Sequence, residues 1–103
     1  MRVSFLIPAY NECSTIVEVL DRIDALGLDR QIVVVDDGST DGTDAALDGW
    51  RGREGVVILR QENRGKGAAI RAAIPHVDGE IAVIQDADME YDPADVPALI
   101  EPI

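Results

Sequence analysis

The chain has 103 residues, of which 20 are aspartate or glutamate and 9 are lysine or arginine, so its formal net charge is −11. This length suits one domain with a single core, and the acidic excess argues against binding nucleic acid or an anionic membrane surface through a basic face. The only cysteine, Cys13, permits no internal disulfide and fits a reducing compartment. We therefore expect a cytoplasmic protein.

The apolar stretch at the start of the chain is neither a signal peptide nor a membrane span. Pro8 interrupts it, and the polar residues Tyr10, Asn11 and Glu12 follow at once. The first strand is therefore predicted at residues 2–8.

Strands and helices alternate along the rest of the chain. Runs of β-branched and other apolar residues predict further strands at 31–35, 55–59 and 81–85. The last of these is almost wholly apolar and is expected inside the sheet, buried on both faces. Apolar residues at helical spacing, with glycine and proline at the ends, predict four helices, at residues 16–27, 45–47, 68–74 and 93–100. Trp50 either extends the second helix or forms a surface loop with residues 51–53, and the loop is the prediction that we retain.

Four strand-helix units in succession predict an α/β fold, in which right-handed crossovers join parallel strands and helices cover both faces of one sheet. Each strand is followed by a polar, acidic or glycine-rich stretch, at residues 9–12, 36–43, 63–67 and 86–92. The carboxyl ends of parallel strands share one edge, where ligands bind in such folds. A ligand of nucleotide size is expected at that edge.

Asp86 and Asp88 follow the fourth strand and are candidate metal ligands. In an extended chain, side chains two positions apart point the same way with about 6.5 to 7 Å between their Cα atoms, so the two carboxylates can converge. Mg²⁺ or Mn²⁺ is typically held by one or two carboxylates together with water and phosphate oxygens. The alternative is that both acids belong to a strand-to-helix turn, in which Asp92 would be the N-cap and Pro93 the first helical residue.

Asp36 and Asp37 follow the second strand, and adjacent side chains there point to opposite faces. One carboxylate can face a ligand, accepting from a base N–H or a ribose hydroxyl, while the other braces the loop. The structural alternative is an Asx turn that leads into a helix N-cap. This alternative accounts well for Asp41 and Thr43 but less well for the two consecutive acids Asp36 and Asp37.

The glycines beside Lys66 leave two interpretations open. They either let the backbone approach a phosphate, with Lys66 or Arg64 nearby, or supply small residues at a helix start. A dinucleotide fingerprint is excluded because Ile70 stands where a small residue is needed, and a Walker A motif because Gly67 follows the lysine. An EF-hand loop at residues 37–48 is excluded because a strand precedes it and its twelfth position is not glutamate.

The chain carries, in this order, the stretches IPAYNE (7–12), VVVDDGSTDGT (33–43), ENRGKGAAIRAA (62–73) and QDADMEYDP (85–93). In this order and spacing, the four stretches resemble the nucleotide-sugar-binding half of inverting family 2 glycosyltransferases. The resemblance is strongest to polyprenyl-phosphate (dolichol-phosphate) mannosyl- and glucosyltransferases, and it covers almost the whole chain. It implies the GT-A fold, a Rossmann-like three-layer sandwich with a mostly parallel sheet.

The resemblance also implies roles for particular residues. Asp88 would bind the metal, Mg²⁺ or Mn²⁺, with Asp86 beside it, and Glu90 stands where relatives have a glutamine that helps to ligate it. Asp86 and Ala87 would also approach the ribose and diphosphate, with Lys66 near a phosphate. The residues expected around the nucleoside are Pro8, Tyr10, Glu12 and Asp37, with the backbone of Val35 nearby.

The implied function is that of a donor domain, residues 1–103, which binds GDP-mannose or UDP-glucose for transfer to an acceptor such as polyprenyl phosphate. The catalytic base and the acceptor part are expected beyond Ile103, and the full enzyme at the cytoplasmic face of a membrane. A short chain of this kind is expected to expose surface and self-associate. Two other functions stay open: a nucleotide-binding fragment without turnover and, less well supported, a sugar nucleotidyltransferase, whose glycine-rich first loop is replaced here by residues 8–12.

Overall fold

The computed structural model describes residues 1–88, so the last predicted helix and Glu90 lie outside the described residues. The described chain alternates strands and helices as the sequence predicts. The strands are β1 (Val3–Ala9), β2 (Arg30–Asp36), β3 (Val56–Arg60) and β4 (Ile81–Ile84). The α-helices are α1 (Ile16–Ala25), α2 (Thr43–Ala46) and α3 (Lys66–Ala73), and 3₁₀ turns occupy Asp48–Trp50 and Ile74–His76.

The four strands form one parallel sheet in the order β3-β2-β1-β4. The chain first adds strands on one side of β1, and after β3 it crosses back to add β4 on the other side. The loops that leave β1 and β4 therefore diverge at a topological switch point, which is where open α/β sheets bind ligands.

Alternate residues of β1 and β2 supply a core on each face of the sheet. On one face, Phe5 of β1 and Ile32 of β2 belong to a buried cluster with Ile16, Leu20 and Ile23 of α1. On the other face, apolar residues of the same strands cluster with the small residues of α3; these are Leu6, Val33, Val35, Ala69 and Ala73. Helices thus cover both faces, and the predicted three-layer sandwich is confirmed.

The prediction that the fourth strand is buried on both faces was wrong. Within residues 1–88, β4 pairs with β1 alone and forms an edge of the sheet. Alternate residues are exposed, with Ile84 at 53%. An edge strand with one covered face buries only every second residue, whatever its composition.

The predicted surface loop at Trp50 was also wrong, because the indole is buried at 3% exposure within the core on the α1 face. The Arg53 guanidinium lies 4.0 Å from the centroid of the indole ring, in a cation–π contact. The helix before it is short, since α2 ends at Ala46 and a 3₁₀ turn continues to Trp50. Among the described residues, no helix has the length and apolar character needed to cross a membrane.

Candidate functional site

A cavity of about 370 Å³ opens at the switch point, beyond the carboxyl ends of β1, β2 and β4. This volume lies in the range of small-molecule sites. It brings together every predicted donor or metal residue in the described chain except Val35, whose buried side chain packs against α3. Ala9 lines the cavity too and was missed, because an alanine carries no chemical signal. The lining residues are Pro8, Ala9, Tyr10, Glu12, Asp37, Lys66, Asp86, Ala87 and Asp88.

Hydrogen bonds tie the loop after β1 to the loop after β2, and this fixes one wall of the cavity. The Asn11 N–H donates to Ser39 Oγ at 2.9 Å, and the Glu12 N–H donates to Thr43 Oγ1 at 3.0 Å. In return, the Thr40 N–H donates to Asn11 Oδ1 at 2.8 Å. The position of Glu12 is therefore set by the second loop as well as by its own.

Asp41 anchors the same junction. Its carboxylate accepts from the hydroxyl of Thr43 at 2.6 Å, from the N–H of Thr43 at 3.0 Å and from the N–H of Cys13 at 3.2 Å. These bonds, led by that from the Thr43 hydroxyl, lower the pKa of Asp41 to about 2. The pKa of the exposed Cys13 thiol is raised, mainly by its interaction with Asp41, so it is not an activated nucleophile.

Acid should weaken the fold as Asp41 takes up a proton. Its pKa of about 2 in the folded chain lies below its ordinary value of 3.8, so its stabilisation is present above pH 3.8 and is lost as pH falls through 2. We expect Asp41→Asn to make the free energy of unfolding less dependent on pH in this window, as measured by urea denaturation. Asp21→Asn, an exposed change on α1, is the control. A wild-type slope in Asp41→Asn would contradict the prediction.

Asp36 and Asp37 point apart, as adjacent residues at a strand end should. Asp36 is fully buried and accepts from Arg60 Nη1 at 2.6 Å and from the Ser39 N–H at 2.9 Å. It therefore braces its own loop, whose neighbour Asp37 lines the cavity.

Asp37 also shapes the glycine-containing loop before α3. Its two carboxylate oxygens accept from Gln61 Nε2 at 2.8 Å and from the N–H groups of Arg64 at 2.8 Å and Gly65 at 3.0 Å. Burial raises the pKa of Asp37, but these three bonds outweigh it and leave the pKa below its ordinary value. Asp37 is thus ionised at neutral pH and holds the loop that carries Lys66.

The lining of the cavity concentrates negative charge. Lys66 Nζ contacts Asp86 Oδ1 at 2.8 Å, while Glu12 and Asp88 line the same cavity. Burial, followed by repulsion from the Asp88 carboxylate, raises the pKa of Glu12 above its ordinary value. Asp88 is therefore close enough to disfavour the charged form of Glu12, a repulsion that a bound cation would relieve.

The described part of the chain holds no cluster of three or more metal-ligating acids, histidines or cysteines. Asp86 and Asp88 alone are nevertheless a suitable oxygen set for Mg²⁺ or Mn²⁺, which often takes one or two carboxylates and completes its shell with phosphate and water. The residues present fit such an ion. The third predicted ligand, Glu90, is outside the described residues.

A parallel sheet covered by helices on both faces, with an acidic cavity at its switch point, places this chain among the Rossmann-like α/β proteins. The model of the family described as "Glycosyl transferase family 2" matches residues 4–103. The chain belongs to that family, and the resemblance seen in its four motifs is confirmed.

Two curated relatives and two solved structures illustrate the similarity. An undecaprenyl-phosphate 4-deoxy-4-formamido-L-arabinose transferase of Klebsiella pneumoniae is 36% identical, over 97% of this chain and 33% of that protein. A dolichol-phosphate mannosyltransferase of Pyrococcus furiosus is 40% identical, over 100% of this chain and 30% of that protein. This chain therefore spans about a third of the length of these relatives.

The structural matches support the GT-A fold. A mannosyltransferase from Pyrobaculum calidifontis, in complex with GDP-Man and Mn²⁺, aligns with a TM-score of 0.83 and 36% identity, over 98% of this chain and 33% of the other. A glucosyl-3-phosphoglycerate synthase from Mycobacterium tuberculosis, in complex with Mn²⁺, UDP and glucosyl-3-phosphoglycerate, aligns with a TM-score of 0.78 and 30% identity, over 98% of this chain and 39% of the other. The fold prediction is confirmed.

Proposed function

We propose that this chain is the donor-binding domain of an inverting glycosyltransferase, and that its cavity binds a nucleoside diphosphate sugar together with a divalent cation. The observation that carries the proposal is the convergence of Asp37, Lys66, Asp86 and Asp88 on one cavity at the switch point of a family 2 chain. GDP-mannose and UDP-glucose are the donors that we expect. Solved family neighbours in complex with GDP-Man or UDP, and with Mn²⁺, support that choice.

Asp86 and Asp88 would hold the cation. When bound, it would neutralise the diphosphate as it departs from the sugar. Lys66 then has a second use: its ammonium group, now against Asp86, can bind a phosphate oxygen once a cation compensates the carboxylate. This reasoning favours the phosphate interpretation of the glycine-flanked lysine over a purely structural one.

The nucleoside would occupy the wall formed by the loops after β1 and β2. Tyr10 is 45% exposed at the cavity and offers a ring to a base, and Asp37 borders the same space. Because the Asp37 carboxylate already accepts three hydrogen bonds, its contact with a base or ribose would use its remaining accepting capacity. Glu12 and Pro8 complete the wall.

The acceptor in the whole enzyme is proposed to be a polyprenyl phosphate. The support comes from relatives named for undecaprenyl phosphate and dolichol phosphate, of which this chain covers about a third. An acceptor oxygen would attack the anomeric carbon of the sugar, so the donor domain contributes by holding that carbon and its leaving group in a fixed orientation.

Calorimetric titration of the chain with GDP and UDP, each with Mn²⁺, with Mg²⁺ and in EDTA, tests the proposal. We expect one nucleotide to bind and its affinity to rise when metal is added. Without metal, the diphosphate would enter a cavity lined by the acids Glu12, Asp86 and Asp88 in addition to Asp37. Equal affinity in EDTA would refute the cation part of the proposal. Failure of both nucleotides to bind under all conditions would refute the donor site itself.

A further inference from the structure

Thr15 stands immediately before α1, at the position where a threonine hydroxyl usually caps the helix. Here the side chain makes no capping hydrogen bond to α1. Its hydroxyl instead donates to the backbone carbonyl of Ala87 at 2.6 Å, across 72 positions of sequence. The hydroxyl is thus directed away from its own helix and into the turn that carries both candidate metal ligands.

The hydrogen bond to the Ala87 carbonyl is the shortest of the contacts that this hydroxyl makes. Two acceptors of Glu12 also lie near Thr15 Oγ1, the carbonyl at 3.5 Å and the carboxylate at 3.4 Å. A hydroxyl has one proton to donate, and the oxygen at 2.6 Å has the favourable distance. Ala87 is only 3% exposed, so its carbonyl would lose much of its solvation without a partner.

The Ala87 carbonyl belongs to the peptide group that joins Ala87 to Asp88. Fixing that carbonyl fixes the plane of the peptide, and with it the direction in which the Asp88 side chain leaves the backbone. Asp86 on the other side of Ala87 is held by Lys66. The two carboxylates of the turn are therefore oriented by separate contacts, one ionic and one through the backbone.

We propose that Thr15 is a positioning residue for the metal site, which sets the orientation of Asp88 through the Ala87 carbonyl. The inference rests on the proposed function, because it assigns Thr15 a part in cation-dependent donor binding. Thr15 is not among the residues that line the cavity, so its effect on binding has to pass through the turn.

Four variants separate this role from a structural one. Thr15→Val keeps the shape of the side chain without its hydroxyl. Thr15→Ala also removes the hydroxyl and takes the place of Thr15→Val if the valine variant does not fold. Thr15→Ser keeps the donor, and Ser14→Ala removes an exposed neighbouring hydroxyl as the matched control. For each variant, the affinity for GDP and for UDP is measured in Mn²⁺ and in EDTA. For a given nucleotide, the affinity in Mn²⁺ divided by the affinity in EDTA is the gain due to metal.

We expect Thr15→Val to reduce the gain due to Mn²⁺ about fivefold, the effect of one net hydrogen bond, while affinity in EDTA stays near the wild-type value. Thr15→Ser should restore the gain and Ser14→Ala should leave it unchanged. The amide ¹⁵N resonance of Asp88, which follows the Ala87 carbonyl directly, should shift in Thr15→Val and Thr15→Ala and remain nearly in place in Thr15→Ser.

A folded Thr15→Val variant with the full metal gain and an unmoved Asp88 resonance would overturn the inference. So would equal losses of affinity in Mn²⁺ and EDTA, because these would show a general structural role. Both results can be interpreted only if the nucleotide affinity of the wild-type chain rises with Mn²⁺. A wild-type chain without that rise refutes the cation part of the proposed function, and the inference falls with it.

Discussion

Asp88→Asn is expected to lower nucleotide affinity in Mn²⁺ about 100-fold and to raise affinity in EDTA modestly, because one of the acids that repel the diphosphate loses its charge. The substitution removes the charge of a proposed direct ligand, and even partners that only orient metal ligands change metal affinity by about 10- to 100-fold when they are lost. Calorimetry with GDP or UDP, in Mn²⁺ and in EDTA, measures both affinities. The substitution also removes the charge that repels Glu12.

The repulsion between Asp88 and Glu12 helps to separate a loss of nucleotide affinity from a loss of stability in Asp88→Asn. Because the Asp88 carboxylate disfavours the ionised form of Glu12 in the free protein, removing its charge should not lower the melting temperature through this pair. Asp21→Asn changes the net charge equally at an exposed site on α1 and is the matched control. Equal affinities of Asp88→Asn and wild type in Mn²⁺ would exclude Asp88 as a ligand.

The sequence was sufficient to predict the architecture because the pattern that predicts each strand or helix is local. Val33 and Val35 sit in a continuous apolar run, which is typical of a strand covered on both faces, and β2 indeed contributes to both cores. Asp37 and Asp86 each lie within two residues of the carboxyl end of a strand, and parallel strands end at one edge. The meeting of these two residues at one cavity therefore follows from chain order alone.

Properties that depend on distant neighbours could not be predicted. Ile84 lies in a run as apolar as that of β2, yet it is exposed because its strand occupies the edge of the described sheet. Trp50 stands among charged residues in sequence and is buried by the core on the α1 face. The composition of a segment does not reveal which other elements will cover it.

The polar contacts of the site were equally hidden. Lys66 and Asp86 are 20 positions apart, and Thr15 and Ala87 are 72 apart. Thr15 carries a misleading local signal, because a threonine before a helix predicts a cap and here its hydroxyl serves another loop. Only the assembled fold shows which donor meets which acceptor.

Gly38→Ala is expected to destabilise the fold by about 2 to 5 kcal/mol, for two reasons that add. Gly38 has a φ of +76°, where a side chain costs about 1 to 2 kcal/mol. An added Cβ would also lie 2.8 Å from the backbone nitrogen of Asn63, and overpacking of this kind costs about 1 to 3 kcal/mol. Asn63 precedes the Arg64 N–H that donates to Asp37, so relief of the clash would disturb the cavity as well.

Gly27→Ala separates the two causes. Gly27 has a nearly equal φ of +69°, but a Cβ there would meet nothing within 4 Å, so this variant should lose only the conformational part, about 1 to 2 kcal/mol. Urea denaturation of both variants gives the difference, and titration with GDP or UDP shows whether only Gly38→Ala also weakens binding. Equal losses of stability would mean that the loops after β2 and β3 can separate without cost, and that Asp37 does not hold them in one fixed arrangement.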